Sequence, residues 1–267
     1  MKNLIVIKFG GSSITKKSEN KFEMNKAVLN QAAEELASAL EKQKELQVAL
    51  VCGVGPFGHT NVMKYDLNNG IKTEKQREGV KITNEACDFV GKEVAKALKK
   101  AGVKSQYIPG YKVCIQSGKK VTGFSILPYG KALDEGLVPI TAGIMVKDDE
   151  LVWSPMSGDV VVAQLAEQLK PKKVLMGTDV DGIYTADPKV DLNAELILNI
   201  DKDNLDEVLK RASHSNSVDV TGGMKGKLEK LAKQLNGVPA EIFNLLKEGN
   251  LENALLDKEI KSTKIKL

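Results

Sequence analysis

The stretch Leu4-Ile5-Val6-Ile7-Lys8-Phe9-Gly10-Gly11 decides the fold. Its near-continuous run of apolar residues is typical of a strand that is buried on both faces of a parallel sheet. The glycine pair marks a turn at the carboxyl end of that strand, where open α/β sheets bind their ligands. Lys8 interrupts the apolar run, and a buried ammonium group is costly unless an anion lies beside it. We therefore expect an anion-binding turn at the end of the first strand.

Outward from this strand, the chain alternates helical and strand-like patterns. Apolar residues spaced three and four apart predict helices, which we place at 23–44, 80–101, 159–169, 223–235 and 251–256. Short apolar runs predict strands, which we place at 48–52, 106–108, 138–146, 173–177 and 240–243. The irregular segment 109–124 is interpreted as a hairpin or flap, and a break between lobes is placed near Trp153-Ser154-Pro155. Strands separated by helices predict an α/β fold whose parallel sheet is covered on both faces.

The composition narrows the function classes. The 267 residues carry a formal net charge of +4, and 4% of them are aromatic. This charge excess is mild for the length, and together with the few aromatic residues it argues against a nucleic-acid-binding protein. The sequence has no apolar stretch of membrane-spanning length and no recognisable signal peptide. We therefore expect a cytoplasmic protein with no membrane partner.

The number and spacing of cysteines and histidines also favour a cytoplasmic protein. Cys52, Cys87 and Cys114 are irregularly spaced, and the two histidines are His59 and His214. This spacing disfavours a transition-metal site and favours a reducing compartment. We interpret Cys52 as inert packing at a strand end and His214 as a loop residue.

Four further turns combine glycine with charged or polar residues. They are Cys52-Gly53-Val54-Gly55-Pro56-Phe57-Gly58-His59, Ser157-Gly158-Asp159, Gly177-Thr178-Asp179-Val180-Asp181-Gly182-Ile183-Tyr184 and Asp219-Val220-Thr221-Gly222-Gly223-Met224-Lys225-Gly226-Lys227. The first and third follow predicted strands, and the second and fourth open predicted helices, whose free backbone amides can bind phosphate. Taken singly, each also fits an ordinary capping or Asx turn. The lysines of the fourth oppose the helix dipole unless an anion lies between them, which favours a phosphate site.

The order of these motifs resembles the amino acid kinase family, which includes acetylglutamate, aspartate and uridylate kinases. The motifs are KxGGS…K, GxGxFGH, SGD, TDxDGxY and DVTGGMxxK, and they extend from Lys8 to Lys227. Within the family, GPFGH, which ends at His59, and SNSVDVTGGMKGK are most similar to the archaeal isopentenyl phosphate kinases. Fosfomycin kinases share this histidine, whereas members that phosphorylate amino acids lack it.

The resemblance implies a fold and an activity. The fold would be a three-layer αβα sandwich around a mainly parallel sheet, in a single domain over 1–267. An acceptor lobe would occupy about 1–153 and a nucleotide lobe about 154–267. The activity would be the ATP-dependent phosphorylation of isopentenyl phosphate to isopentenyl diphosphate, with Mg²⁺ on the nucleotide. The family resemblance also implies a homodimer.

Site residues follow from the same resemblance. The residues implied to take part in phosphoryl transfer are Lys8, Lys17, His59 and Asp159. The acceptor would be held by Val54, His59 and Gly143. The nucleotide would be held by Lys8, Gly10, Gly11, Ser12, Gly55, Asp179, Gly182, Tyr184, Gly223 and Lys227. Lys16 adjoins Lys17, so either could be the second transfer lysine, and no residue is assigned to a metal.

The glycine turn before His59 departs from the usual family pattern, HGGGSFGH. Cys52 replaces the first histidine, Val54 a glycine and Pro56 the serine. Val54 adds bulk and Pro56 removes an amide, so the acceptor pocket could be reshaped. Another small phosphate or phosphonate acceptor, such as fosfomycin, therefore stays open, as does a non-catalytic nucleotide-sensing module. The presence of three lysines along one phosphoryl path argues against the sensing module.

Overall fold

The computed structural model describes residues 3–18, 21–188, 190–212, 235 and 237–267. Within them lie an eight-stranded sheet, a four-stranded sheet and two two-stranded sheets. The strands are β1 (Leu4–Phe9), β2 (Thr15–Ser18), β3 (Lys21–Met24), β4 (Gln47–Cys52), β5 (Ser105–Tyr107), β6 (Cys114–Ser117), β7 (Lys120–Phe124), β8 (Val138–Ala142), β9 (Ile144–Asp148), β10 (Val152–Met156), β11 (Lys173–Thr178), β12 (Ile183–Tyr184), β13 (Leu196–Ile197), β14 (Asn199–Asp201), β15 (Ala240–Asn244) and β16 (Ser262–Lys266). The helices are α1 (Gly11–Ile14), α2 (Lys26–Lys42), α3 (Pro56–Lys64), α4 (Glu74–Lys100), α5 (Leu127–Asp134), α6 (Gly158–Leu169), α7 (Leu205–Ala212) and α8 (Asn250–Leu255).

Parallel pairing dominates the eight-stranded sheet, whose order is β14-β16-β15-β11-β1-β4-β8-β5. β15 and β16 pair antiparallel, and the other six neighbouring pairs are parallel. The carboxyl ends of β15, β11, β1, β4 and β8 therefore meet along one edge, where ligands of open α/β sheets bind. The predicted mainly parallel sheet is confirmed.

Helices cover both faces of this sheet, which gives three layers. One apolar core joins α2, α4 and α8 to the face of β1 that carries Ile5 and Ile7. The other core joins α5 and α6 to the face that carries Leu4 and Val6. The first strand is thus buried on both faces, as its apolar run predicts. Because side chains alternate along a strand, Lys8 lies on the face that α6 covers.

The single strand predicted at 138–146 is wrong, because the chain bends at Gly143. The segment divides into β8, which stays in the central sheet, and β9, which enters the four-stranded sheet β10-β9-β6-β7. A Cβ atom at residue 143 would lie 2.9 Å from the backbone nitrogen of Gly158, a distance that no real side chain tolerates. The hairpin predicted within 109–124 is confirmed as β6 and β7, preceded by the 3-10 helix Gly110–Lys112.

The start of the helix predicted at 23–44 is also wrong. This helix begins at Lys26, because residues 21–24 form β3 and pair with β2 in a hairpin that the sequence pattern did not reveal. The turn predicted at 52–59 ends at Gly55, because residues 56–59 form the start of α3, a helix that the pattern did not predict either. Pro56 is the first residue of α3, a position that suits proline because the missing N–H would have no partner there.

The remaining predicted elements follow the sequence closely. The helices predicted at 159–169 and 251–256 and the strands predicted at 48–52, 106–108, 173–177 and 240–243 are confirmed with small shifts at their ends. The helix predicted at 80–101 is confirmed as α4, which begins six residues earlier, at Glu74. Residues 223–234 of the helix predicted at 223–235 lie outside the described residues. Trp153-Ser154-Pro155 lies within β10, and the division into two lobes stays a prediction.

Candidate active site

The turns after β1 and β4 touch each other at the carboxyl edge of the sheet. The backbone N–H of Gly53 donates to the carbonyl of Phe9 over 2.8 Å, and that of Gly10 donates to Gly177 over 2.8 Å. A Cβ atom at residue 53 would lie 2.3 Å from the nitrogen of Gly11, so only glycine allows the two turns this close approach. The contact brings main-chain segments from neighbouring strands to one place, which suits an anion such as phosphate.

Lys8 and Asp159 form an ion pair at the same edge. Nζ of Lys8 lies 2.6 Å from Oδ1 of Asp159, and the two side chains are 16% and 27% exposed. Asp159 stands in the first turn of α6, which begins after the N-cap residue Ser157. The anionic partner that the sequence requires for Lys8 is therefore Asp159. Since an ammonium group has three N–H donors, Lys8 can still donate to a phosphate oxygen.

The residues predicted to bind the acceptor follow β4 and β8. Val54 is half-buried and packs against both apolar cores. Gly143 follows β8, and its N–H donates to the carbonyl of Cys52 over 3.4 Å. His59 is exposed in α3, where its backbone N–H donates to the carbonyl of Gly55 over 3.2 Å. The fold thus carries the predicted acceptor residues on two neighbouring strand ends, and their roles stay a prediction.

A carboxylate with two phenol partners lies near the end of β4, and the sequence pattern missed it. Asp88 of α4 accepts hydrogen bonds from the hydroxyls of Tyr107, over 2.8 Å, and Tyr111, over 3.2 Å. Burial raises the pKa of Tyr107, and the hydrogen bond to Asp88 raises it further, so this hydroxyl stays protonated. Tyr107 also lies near Cys52, the last residue of β4. The signal in the sequence was an aspartate on the side of α4 that packs inward.

An open cavity of about 260 Å³ lies beyond the carboxyl ends of β11 and β15. Its lining consists of Asp179, Val180, Asp181, Tyr184, Pro188, Asn244 and Lys247. Two residues predicted to bind nucleotide, Asp179 and Tyr184, therefore share one cavity. Gly182 lies between them and packs so closely on Thr263 that a Cβ atom would be 2.3 Å from the threonine Oγ1. The cavity lies next to the strand that carries Lys8, because β11 pairs with β1.

Asp181 organises one wall of this cavity. Its side chain is 8% exposed, and it pairs with Lys247 over 2.7 Å and with Lys261 over 3.5 Å. Nδ2 of Asn244 donates to it over 3.1 Å. Burial alone would raise the pKa of Asp181, but hydrogen bonds from Lys247 and Asn244 outweigh burial and lower the pKa below its ordinary value. Asn244 and Lys247 were missed, although residues that follow a predicted parallel strand are candidates on position alone.

The β2–β3 hairpin docks on α3 through aromatic side chains. The rings of Phe22 and Phe57 lie 5.9 Å apart, and those of Phe57 and Phe89 lie 5.7 Å apart. Phe22 stands opposite Lys17 in the hairpin register. Oγ1 of Thr15, at the base of the hairpin, donates to the carbonyl of Gly11 over 2.5 Å. The strand that carries Lys17 is thereby fixed against both glycine turns.

Several other predicted residues can be located, and some cannot. Ser12 is exposed in α1, and Lys16 is exposed in β2. His214, Gly223 and Lys227 lie outside the described residues.

Three further observations limit the chemistry. Cys52 is fully buried and burial raises its pKa, in agreement with its interpretation as inert packing. Among the described residues there is no group of three or more His, Cys, Asp or Glu side chains that could hold a metal ion. None of the helices in the described part of the chain is both long and apolar enough to cross a bilayer.

The chain belongs to the amino acid kinase family. The sequence model of the amino acid kinase family matches residues 3–244. Among curated relatives, the isopentenyl phosphate kinase of Methanothermobacter thermautotrophicus is 32% identical over 98% of each chain. That of Methanocaldococcus jannaschii is also 32% identical over 98% of each chain.

Solved structures agree with this assignment. An X-ray structure of isopentenyl phosphate kinase matches with a TM-score of 0.82 and 28% identity, over 98% of this chain and all of the other. The UMP kinase of Ureaplasma parvum matches with a TM-score of 0.64 and 20% identity over the whole of both chains, a likeness of fold alone. The predicted α/β sandwich of the family is therefore confirmed.

Proposed function

We propose that this chain transfers the γ-phosphoryl group of ATP to the phosphate of isopentenyl phosphate, giving isopentenyl diphosphate and ADP. The observation that carries the proposal is the Lys8–Asp159 pair, which stands where the glycine turns of β1 and β4 meet. The acceptor is suggested by the relatives, which are named isopentenyl phosphate kinases and align with nearly the whole chain. His59 lies in the turn that the resemblance assigns to the acceptor phosphate.

The reaction needs little covalent help from the protein. An oxygen of the acceptor phosphate forms the new bond to the γ-phosphorus, while the bond from the γ-phosphorus to the bridging oxygen of ADP breaks. The acceptor phosphate has a second pKa near 6, so it is already largely a dianion at neutral pH and needs no general base to remove a proton. Positioning and charge neutralisation are then the main tasks. Lys8 would neutralise the moving phosphoryl group, and Asp159 would hold the Lys8 ammonium in place.

The nucleotide would lie along the sheet edge from Lys8 to the cavity beyond β11 and β15. Asp179, Gly182 and Tyr184 line or border that cavity. The described residues offer no group of three or more carboxylates that could hold a metal, so Mg²⁺ would be held by nucleotide oxygens and water. Asp179 would be the nearby carboxylate, because Asp181, the other carboxylate of the cavity wall, is paired with Lys247. Bound there, the ion would supply charge neutralisation. The division into an acceptor lobe at 1–153 and a nucleotide lobe at 154–267, the homodimer and the cytoplasmic location belong to the same proposal.

A more polar acceptor is the second candidate. Asp88, Tyr107 and Tyr111 form a polar cluster near the end of β4, next to the turn in which Val54 and Pro56 replace the usual residues. Such a group favours a short or polar acceptor, such as the phosphonate fosfomycin, over an apolar tail. The presence in the sequence of three lysines along one phosphoryl path still argues against a non-catalytic module.

An ATP-coupled kinase assay with Mg²⁺ distinguishes these candidates. Isopentenyl phosphate, dimethylallyl phosphate and fosfomycin would each be supplied as acceptor, and kcat/KM would be compared. We expect isopentenyl phosphate to give the highest value. A higher value for fosfomycin would select the second candidate, and no turnover with any acceptor would reject both.

A further inference from the structure

We infer that Lys247, held in position by Asp181, binds the nucleoside end of the nucleotide. The inference rests on the proposed function in one respect, since it assumes that a nucleotide occupies the cavity beyond β11 and β15. It adds a binding residue on a strand end that the motifs of the sequence do not include. The ligand class is a nucleoside triphosphate, and the contact is to the nucleoside rather than to the triphosphate.

The position of Lys247 along the sheet edge carries the first step. Lys8 on β1 marks the place of phosphoryl transfer. β11 lies beside β1, and β15 lies beside β11, with both pairs parallel. Neighbouring strands are about 4.8 Å apart, so the end of β15 lies about 10 Å from β1. Lys247 follows the end of β15 at Asn244 by three residues. A nucleotide with its γ-phosphate at Lys8 would therefore present its nucleoside, not its phosphates, to Lys247.

The geometry of the ammonium group carries the second step. Nζ of Lys247 lies 2.7 Å from Oδ1 and 2.9 Å from Oδ2 of Asp181. Those two contacts use two of its three N–H donors, so the third can donate to a lone pair on a ribose oxygen or a purine ring nitrogen. The side chain lines the cavity and is 51% exposed, while the Asp181 side chain is 8% exposed. A buried carboxylate therefore orients a lysine that a ligand can reach.

Lys261 provides the internal comparison. It pairs with the same carboxylate over 3.5 Å, and its side chain is 62% exposed. It is not one of the residues that line the cavity. Removing either lysine leaves Asp181 with the other, so both variants keep a cation beside the buried carboxylate. They differ in whether the lost ammonium faces the cavity.

The test measures binding of ATP and of tripolyphosphate, which lacks a nucleoside, to the full-length chain by isothermal titration calorimetry. The proteins are the wild type, Lys247→Met, Lys247→Gln and Lys261→Met, each checked for folding by thermal unfolding. For both Lys247 variants we expect the ATP affinity to fall about tenfold, the size of one charge-assisted hydrogen bond. Tripolyphosphate affinity should stay within about twofold of the wild type, and Lys261→Met should bind both ligands like the wild type.

Each other result overturns the inference. Unchanged ATP binding in the Lys247 variants would show that Lys247 does not contact the nucleotide. An equal loss of tripolyphosphate affinity would show that Lys247 contacts the phosphates instead. An equal loss of ATP affinity in Lys261→Met would show that the effect comes from the disturbed Asp181 carboxylate and not from a contact of Lys247. If ATP binds as expected but isopentenyl phosphate is not phosphorylated, the acceptor assignment fails and the inference stands. If the wild type binds no ATP, the inference and the proposed function are both overturned.

Discussion

Two lysine–aspartate pairs lie along one edge of the sheet and are built in opposite ways. In the pair at β1 the lysine is the more buried partner, with Lys8 16% and Asp159 27% exposed. In the pair beyond β15 the carboxylate is buried, with Asp181 8% and Lys247 51% exposed. A lysine in a central strand is positioned by the sheet, whereas the exposed Lys247 lies in a loop and is positioned by the buried carboxylate of Asp181. The difference fits the two proposals, in which Lys8 faces the reacting phosphoryl group and Lys247 of the second pair binds the nucleoside.

Removing the Lys8 charge is the change with the largest expected effect. Lys8→Met should lower kcat about 10²–10³-fold, because the charge that develops during transfer loses its fixed counter-charge. ATP affinity should change far less, since the interaction counts mainly in the transition state. Steady-state kinetics and calorimetric ATP binding measure the two quantities separately.

Lys173→Met is the matched control for Lys8→Met. Lys173 also lies in a central strand, is 13% exposed and pairs with Asp257 over 2.8 Å, but it lies at the opposite end of β11. This variant should lose stability while kcat stays near the wild-type value. If both variants lose kcat equally, the effect of Lys8→Met is structural, and the role proposed for Lys8 in phosphoryl transfer is wrong.

Changing His59 tests how the acceptor phosphate is bound near the Lys8–Asp159 pair. His59→Ala should raise KM for isopentenyl phosphate about 10–100-fold, because the acceptor phosphate loses one charge-assisted hydrogen bond. KM for ATP and the melting temperature should hold, since His59 is exposed. Thr60→Ala, on the neighbouring residue of α3, is the control and should behave like the wild type. An unchanged acceptor KM in His59→Ala would remove this residue from the site.

Loosening the hairpin that carries Lys17 should have a smaller effect. Phe22→Ala removes the ring contact that holds β3 on Phe57, so we expect kcat to fall about three- to tenfold, the size of one aromatic contact. Phe89→Ala leaves the contact between Phe22 and Phe57 intact and should cost less activity. A larger loss in Phe89→Ala than in Phe22→Ala would show that the hairpin does not position the transfer lysine.

The smallest expected effect is on how the stability of the fold depends on pH through Asp181, the carboxylate of the Asp181–Lys247 pair. The folded-state pKa of Asp181 lies below its ordinary value, so its pairing stabilises the fold above the unfolded pKa, about 3.9. That contribution is lost as the pH falls through the folded pKa. Asp181→Asn should therefore lower the melting temperature at pH 7, and the difference from the wild type should shrink on acidification below about pH 4. A difference that grows on acidification would contradict the assigned ionisation of Asp181.

The sequence predicts the parts of the fold that depend on local pattern. The apolar run around Lys8 correctly indicated a strand buried on both faces. The anion beside the lysine is Asp159, and the anion-binding turn expected from this run stays a prediction. The spacing of apolar residues located α2, α4, α6 and α8 to within a few residues, apart from the late start of α2 and the longer first turns of α4.

The remaining features depend on tertiary contacts that no local pattern records. The strand predicted at 138–146 divides because Gly143 approaches the backbone of α6. The β2–β3 hairpin follows from the packing of Phe22 on Phe57, residues far apart in the chain. Lys247 was missed because it lies in a polar loop with no motif, and only the position of β15 in the sheet reveals its relation to the cavity.

Phosphorus-31 NMR of the wild-type chain with ATP, Mg²⁺ and isopentenyl phosphate tests the central claim most directly. The account predicts that the monophosphate signal disappears while the two coupled signals of isopentenyl diphosphate and those of ADP grow together. The same conversion should be slowed at least about a hundredfold in Lys8→Met. A persistent monophosphate signal from wild-type protein that binds ATP would contradict the account.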